Sequence, residues 1–217
     1  MAPLDAGNPG EALNPAVRRS SVERTVMLTD AVVAIAMTLL VLPLVEAAPE
    51  VDLDNLWPFI GDHLSLFVSF LVSFLVILLF WSAHQRVFRH VSAMTPTLRL
   101  LNTAWLLVIA FLPFPTALIG RGPTTSTTPI YIGSVFVLGA VSAAMTFAVL
   151  REVDDPTLRH YLRRRGIVAL GAVAVLLVCT LVATVSPDAA LYGVLLIVPV
   201  RVVGNRWAET PSDIQLR

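Results

Sequence analysis

Six apolar runs separated by short polar stretches set the pattern of this chain, at roughly 24–45, 64–84, 98–119, 130–150, 166–185 and 188–204. A helix needs about 20 apolar residues to cross a hydrocarbon core of about 30 Å. The pattern therefore predicts an all-α, polytopic membrane protein with six transmembrane helices. Only the turn Ser186–Pro187–Asp188 keeps the last two runs from reading as one over-long helix. Residues 1–19 are polar and rich in Pro and Gly, and read as a flexible N-terminal segment. Residues 20–206 form one transmembrane domain and 207–217 a short tail. The first twenty residues lack an apolar core and no small-residue cleavage site follows the first run, so no signal peptide is expected. Ser20–Ser21–Val22–Glu23 has the S-x-x-E form of a capping box, which predicts a helix start near Ser21.

Composition agrees with the pattern. The 217 residues are 56% hydrophobic and 14% charged, where soluble domains carry about 25% charged residues. Formal net charge is zero, but its distribution is uneven. All fifteen basic residues are arginine, and fourteen fall on one side of the predicted membrane: the N-terminal segment, the connections after spans two and four, and the C-terminal end. Only Arg121 is left for the other side, which places both termini in the cytoplasm. The opposite loops carry Glu46, Glu50, Asp52, Asp54, Asp62 and Asp188, an acidic face that either concentrates cations or is simply solvated. The absence of Lys and the abundance of Arg and Ala suggest a GC-rich source genome.

Little in the chain points to catalysis. The single Cys179 lies inside an apolar run and reads as a small packed side chain. His84 and His90 are six apart, on different faces of a helix, and no paired-carboxylate, HExxH or Cys/His arrangement suggests a metal site. No GxSxG motif is present, so an enzyme is not expected, nor a cofactor, nor a nucleic-acid partner. Asp30 is the one acid clearly inside a span, and an intramembrane acid is costly unless paired or hydrated. It lies six residues past Arg24, roughly 9 Å along a helix, near the cytoplasmic interface. It is either an ion site or an anchor to neighbouring helices. Trp81, Ser82 and His84 at the end of span two, and Arg99 and Asn102 at the start of span three, offer partners. The indole, imidazole and amide N–H groups suit a carboxylate in a low dielectric.

The outer half of the first span carries Ile35, Leu39 and Leu42 on one stripe, with Thr38 beside it. Brought together from several subunits, such a stripe makes apolar rings that gate by dewetting; alone, it equally suits lipid or packed core. No TVGYG filter loop is present. Pro43 has no N–H for the Leu39 carbonyl, which leaves that oxygen without its usual helix partner and able to face a wet lumen.

Three blocks resemble a known family. Arg24, Asp30, Ala31, Val32, Ala34, Ile35, Thr38, Leu39 and Leu40 match a pattern of Arg, three residues, Phe-Ser-Asp and A-V-x-A-I-x-x-T-L-L. Leu28 and Thr29 replace the Phe and Ser, and Thr29 keeps the hydroxyl. Phe80, Trp81, His84 and Phe88 resemble an F-W-x-x-H block. Asn102, Leu106, Phe111, Leu112, Pro113, Phe114, Thr116 and Leu118 resemble the third-span block. Residues 24–119 are thus similar to the transmembrane protein 175 family of lysosomal and bacterial potassium channels; the last three spans match in number and spacing only.

The resemblance implies a bacterial homotetramer with one six-span unit per chain, in which the first helix lines the pore. It implies a constriction of Ile35, Leu39 and Leu42, a secondary selectivity position at Thr38, and an interhelical polar network of Thr29, Asp30, Trp81, His84 and Asn102, with Arg24 an addition. The partners would be the lipid bilayer and monovalent cations, potassium being the permeant species. On this reading Asp30 positions the pore. The rivals are a proton-coupled secondary transporter using Asp30 and a non-conducting scaffold.

Overall fold

The computed structural model describes the backbone of residues 15–195 and the side chains of residues 20–193. The regular elements among them are helical: α1 (Pro15–Leu39), α2 (Leu42–Ala47), α3 (Leu56–Asp62), α4 (Leu64–Phe88), α5 (Pro96–Phe111), α6 (Pro113–Gly120), α7 (Thr127–Glu152), α8 (Pro156–Ala183) and α9 (Pro187–Leu195). A single 3-10 turn, Ala48–Glu50, follows α2.

Five stretches are long and apolar enough to cross a membrane: Ser20–Glu50, Leu64–Phe88, Pro96–Gly120, Thr127–Glu152 and Pro156–Ala183. They coincide with the first five expected spans. The expected sixth, 188–204, begins as α9, and the rest of it lies outside the described residues. So do most of the expected N-terminal segment and the whole tail from 207 onward.

Two prolines divide spans one and three. After Leu39 the ladder lapses, and the Val41 N–H reaches only the Thr38 carbonyl, at 3.4 Å, because Pro43 offers the Leu39 carbonyl no donor. Pro113 does the same to Ile109, but there the Leu112 N–H forks to Val108 and Ile109 at 3.1 and 3.2 Å, so α6 continues α5 with little interruption.

Two helix starts differ from expectation. α1 is already helical at Pro15, the first described residue, so it does not start near Ser21. Ser20–Glu23 is therefore helix interior, and the Ser21 carbonyl takes a bond at 3.0 Å from the Thr25 hydroxyl one turn on. α8 begins at Pro156, well ahead of residue 166, with Asp155 as its cap accepting from the Thr157 N–H at 2.9 Å. The arginines of 159–165 thus lie within a helix, marking where it enters the membrane rather than where it starts.

α7 is the central helix, packed against α4, α5, α6, α8 and α9. α1 lies to one side, packed chiefly on α5 and α4. Between the spans the buried core holds Ile77, Trp105, Ile109, Ile132 and Leu138. Hydroxyls tie the helices where lipid offers no alternative. Trp105 donates to Ser142 at 3.0 Å. The Thr116 hydroxyl gives its proton to the Leu112 carbonyl at 2.8 Å and so accepts from Ser73 at 2.8 Å, and Ser73 is in turn 3.1 Å from the Tyr131 hydroxyl.

Gly120 lets α6 close on α4: a Cβ there would lie 2.7 Å from Ser69 Oγ and 2.8 Å from Leu66 Cδ2, and its carbonyl accepts from Ser65 at 2.7 Å. Gly120→Leu must push the helices apart, at about 1–3 kcal/mol for overpacking. It is expected to lower the melting temperature in detergent, whereas Gly61→Ala, with open space around it, leaves it unchanged.

Candidate functional site

α1 is two-sided. Val22, Thr29, Val33, Ala36 and Leu40 recur at helical spacing and are buried against α4 and α5. On the opposite face Ala31, Ala34 and Thr38 are exposed, Ile35 and Leu39 are 60% and 44% exposed, and Leu42, the first residue of α2 beyond the lapse, is 49% exposed. An apolar face with small residues interspersed suits close helix contact better than lipid alone would require. The Thr38 hydroxyl donates to the Ile35 carbonyl at 2.8 Å, so its remaining lone pairs stay available on that face.

The buried face is fastened by two polar clusters one residue apart. Asp30 Oδ1 accepts two bonds from α4, from Trp81 Nε1 at 2.8 Å and from Gln85 Nε2 at 2.6 Å. Thr29, fully buried, faces α5 and accepts from Asn102 Nδ2 at 3.2 Å. Asn102 Oδ1 lies 2.8 Å from His84 Nε2. The direction of this second chain follows from its end. The Thr29 hydroxyl gives its proton to the Thr25 carbonyl at 2.9 Å, so it can only accept from Asn102. The amide must turn its NH2 to Thr29 and its oxygen to His84, and His84 Nε2 must carry the proton. The imidazole is also held by its rings, stacked on Phe88 with centroids 4.1 Å apart and tilted on Trp105 at 4.6 Å.

The expected network residues Thr29, Asp30, Trp81, His84 and Asn102 therefore meet, but in a different pairing. His84 and Asn102, expected to serve Asp30, serve Thr29 instead, because they lie on the side of α4 and α5 that Thr29 faces. Arg24, expected as an addition, is exposed and stands outside these bonds. Gln85 was not expected. Its signal was present: Trp81 and Gln85 are four apart and share a helix face, while His84 and Phe88 define the neighbouring one. No group of three or more His, Cys, Asp or Glu side chains suited to a metal ion occurs among the described residues.

Fold and site together define a polytopic α-helical membrane protein whose first span is tied by buried polar contacts to its second and third. Residues 24–113 match the family described as the endosomal/lysosomal potassium channel TMEM175. That stretch, which holds both polar clusters, is similar to the TMEM175 family. A potassium channel of Streptomyces collinus is 33% identical over 128 residues, 58% of this chain and 61% of that one. A potassium channel of Chamaesiphon minutus is 35% identical over 109 residues, 49% of this chain and 53% of its own. The human endosomal/lysosomal proton channel TMEM175 is 31% identical over 104 residues, 46% of this chain and 20% of its length. The matched stretch thus spans about half to three fifths of the bacterial relatives and a fifth of the human one. The fold is that of the crystal structure of a lysosomal potassium-selective channel TMEM175 homolog from Chamaesiphon minutus, with a TM-score of 0.72 at 23% identity, covering 86% of this chain and 99% of that one.

Stranding a buried donor or acceptor costs roughly 1–3 kcal/mol. Asn102→Leu strands both the His84 N–H and the Thr29 acceptor and is expected to lower the melting temperature in detergent clearly, while Arg24→Gln leaves it unchanged. Asp30→Asn, which keeps an oxygen for Trp81 and Gln85, is expected to fall between wild type and Asp30→Leu.

Proposed function

We propose that the chain is one subunit of a homotetrameric, potassium-permeable cation channel in a prokaryotic plasma membrane, with α1 lining the pore. The reading rests on the two-sidedness of α1: polar contacts hold one face against α4 and α5, while Ile35 and Leu39 stand exposed on the other beside Ala31, Ala34 and Thr38, with Leu42 exposed at the start of α2. Four copies facing one axis would stack these apolar residues into rings that an ion passes partly dehydrated. Thr38, between the Ile35 and Leu39 levels, would offer hydroxyl lone pairs there. The bacterial relatives named as potassium channels and the family match support potassium as the permeant ion. On this reading Thr29, Asp30, Trp81, His84, Gln85 and Asn102 orient the helix and do not touch the ion. Six spans with both termini in the cytoplasm agree with the placement of the arginines.

Purified protein in liposomes should pass potassium without saturating at low millimolar concentration and without a proton gradient. Because the human relative is named a proton channel, a pH-sensitive dye in the same vesicles separates proton from potassium flux. Ile35→Asn or Leu39→Asn is expected to raise conductance or weaken the preference for potassium over sodium. Saturable flux that needs a proton gradient would identify a transporter, and absence of flux in wild type and both variants a scaffold.

A further inference from the structure

His63 is the single residue joining α3 to α4, and both of its ring nitrogens lie against acceptors. Nδ1 is 3.0 Å from the Phe59 carbonyl one turn back, and a carbonyl can only accept, so Nδ1 carries a proton. Nε2 is 3.3 Å from a carboxylate oxygen of Glu50, the last residue of the 3-10 turn that closes the first membrane stretch. A neutral ring would turn a bare lone pair on that carboxylate. The imidazolium turns an N–H group and a positive charge on it instead. Phe59 also steadies the ring, its own centroid 4.4 Å away. The Glu50 side chain is 69% exposed against 19% for His63, so the pair is open to the pH of the solvent.

The other ionisable groups around this end of α4 are Glu46 on α2, Asp52 and Asp54 in the loop after the turn, Asp62 beside His63, and Arg121 just past α6; all are exposed. Asp52 is engaged in its own loop, accepting from the Asp54 N–H at 3.0 Å. α6 and the first half of α7, which pack on α4, carry no charged residue. The remaining histidines, His84, His90 and His160, lie near or past the far end of α4, or in the first turns of α8.

We propose that Glu50 and His63 form a proton-operated latch on the C-terminal end of the first span. The chain between α1 and Glu50 is hinged at Leu40–Val41, where the helical ladder lapses. α2 and its 3-10 turn are therefore set by their own contacts, among them the buried Ala47 and the Glu50–His63 ion pair. With His63 protonated, the turn is held to the junction of α3 and α4. As pH rises and the ring loses its Nε2 proton, the attraction goes, a lone pair faces the carboxylate, and the turn is released. Histidine is the side chain that changes charge between about pH 5 and 8, so the latch is closed at the acid end of that range and open at the alkaline end. Leu42 rides on the hinged piece, so the latch sets the Leu42 ring where the channel reading holds. The latch itself does not depend on that reading.

A nitroxide spin label on Leu53→Cys, a position 87% exposed in the loop just past Glu50, reads the mobility of this piece. The full chain is used in nanodiscs with Cys179, its one native cysteine, replaced by Ser. From about pH 8 to about pH 5.5 the immobile fraction of the label is expected to rise about two- to fivefold, the range of an accessible ion pair. Glu50→Gln and His63→Gln should each abolish the step and leave the label as mobile at acid pH as it is without them at alkaline pH. His63→Lys, cationic throughout the range, should show no step either. Asp62→Asn, which removes the neighbouring exposed acid, should keep it. No step with Glu50 and His63 in place, a full step in any of the three latch variants, or loss of the step in Asp62→Asn overturns the proposal. A step in protein that passes no potassium upholds the latch and counts against the channel reading alone.

Discussion

An apolar solvent leaves a buried polar group no partner outside the protein, and the arrangement of spans one to three depends on this constraint. Thr29 and Asp30 on α1 are affordable in this position only because α4 and α5 bring matched donors to them. Unmatched, each would cost several kcal/mol in hydrocarbon. Packing alone would hold α1 weakly, because lipid tails are as apolar as its leucines and no hydrophobic force drives helices together in lipid. The few hydrogen bonds in the N-terminal half of α1 therefore carry positional information that the apolar contacts lack.

The contacts are also ordered. Thr29 ends a chain of donors that starts at His84 and finishes at the Thr25 carbonyl. Because that hydroxyl is committed backward, the amide of Asn102 and the tautomer of His84 have no freedom left. Asp30 differs, gathering two donors on a single oxygen. The C-terminal half of α1 has no such fastening among the described residues. Beyond the lapse at Leu40–Val41 the chain continues as the short α2, so the two ends of the first span are restrained in different ways.

The first five spans were legible in hydropathy, and most of the polar contacts in the bare presence of Asp30, Trp81, His84 and Asn102 within or beside apolar runs. What was not legible was which partner meets which. That depends on rotation about α4, and one residue along a helix turns the side chain by about 100°, enough to exchange His84 for Gln85 at Asp30. Gln85 passed unnoticed because it sits between His84 and Arg86, at a polar end where a glutamine is unremarkable. Helix starts were misplaced near Ser21 and at residue 166 for a related reason. Hydropathy reports where a chain meets lipid, and a helix carrying Arg159, Arg163 and Arg164 extends well outside that boundary without changing its backbone.

Thr29 and Asp30 are adjacent, so their side chains leave α1 about 100° apart, one engaging α5 and the other α4. Two fixings in different directions define an angle as well as a distance. Sliding along the axis or turning about it would break one cluster or the other. The pair works like a key in a keyway: it sets the azimuth of the helix, and with it the direction in which Ile35, little more than one turn further on, must point. Every copy of the chain inherits the same bearing, without any contact between copies being needed to impose it.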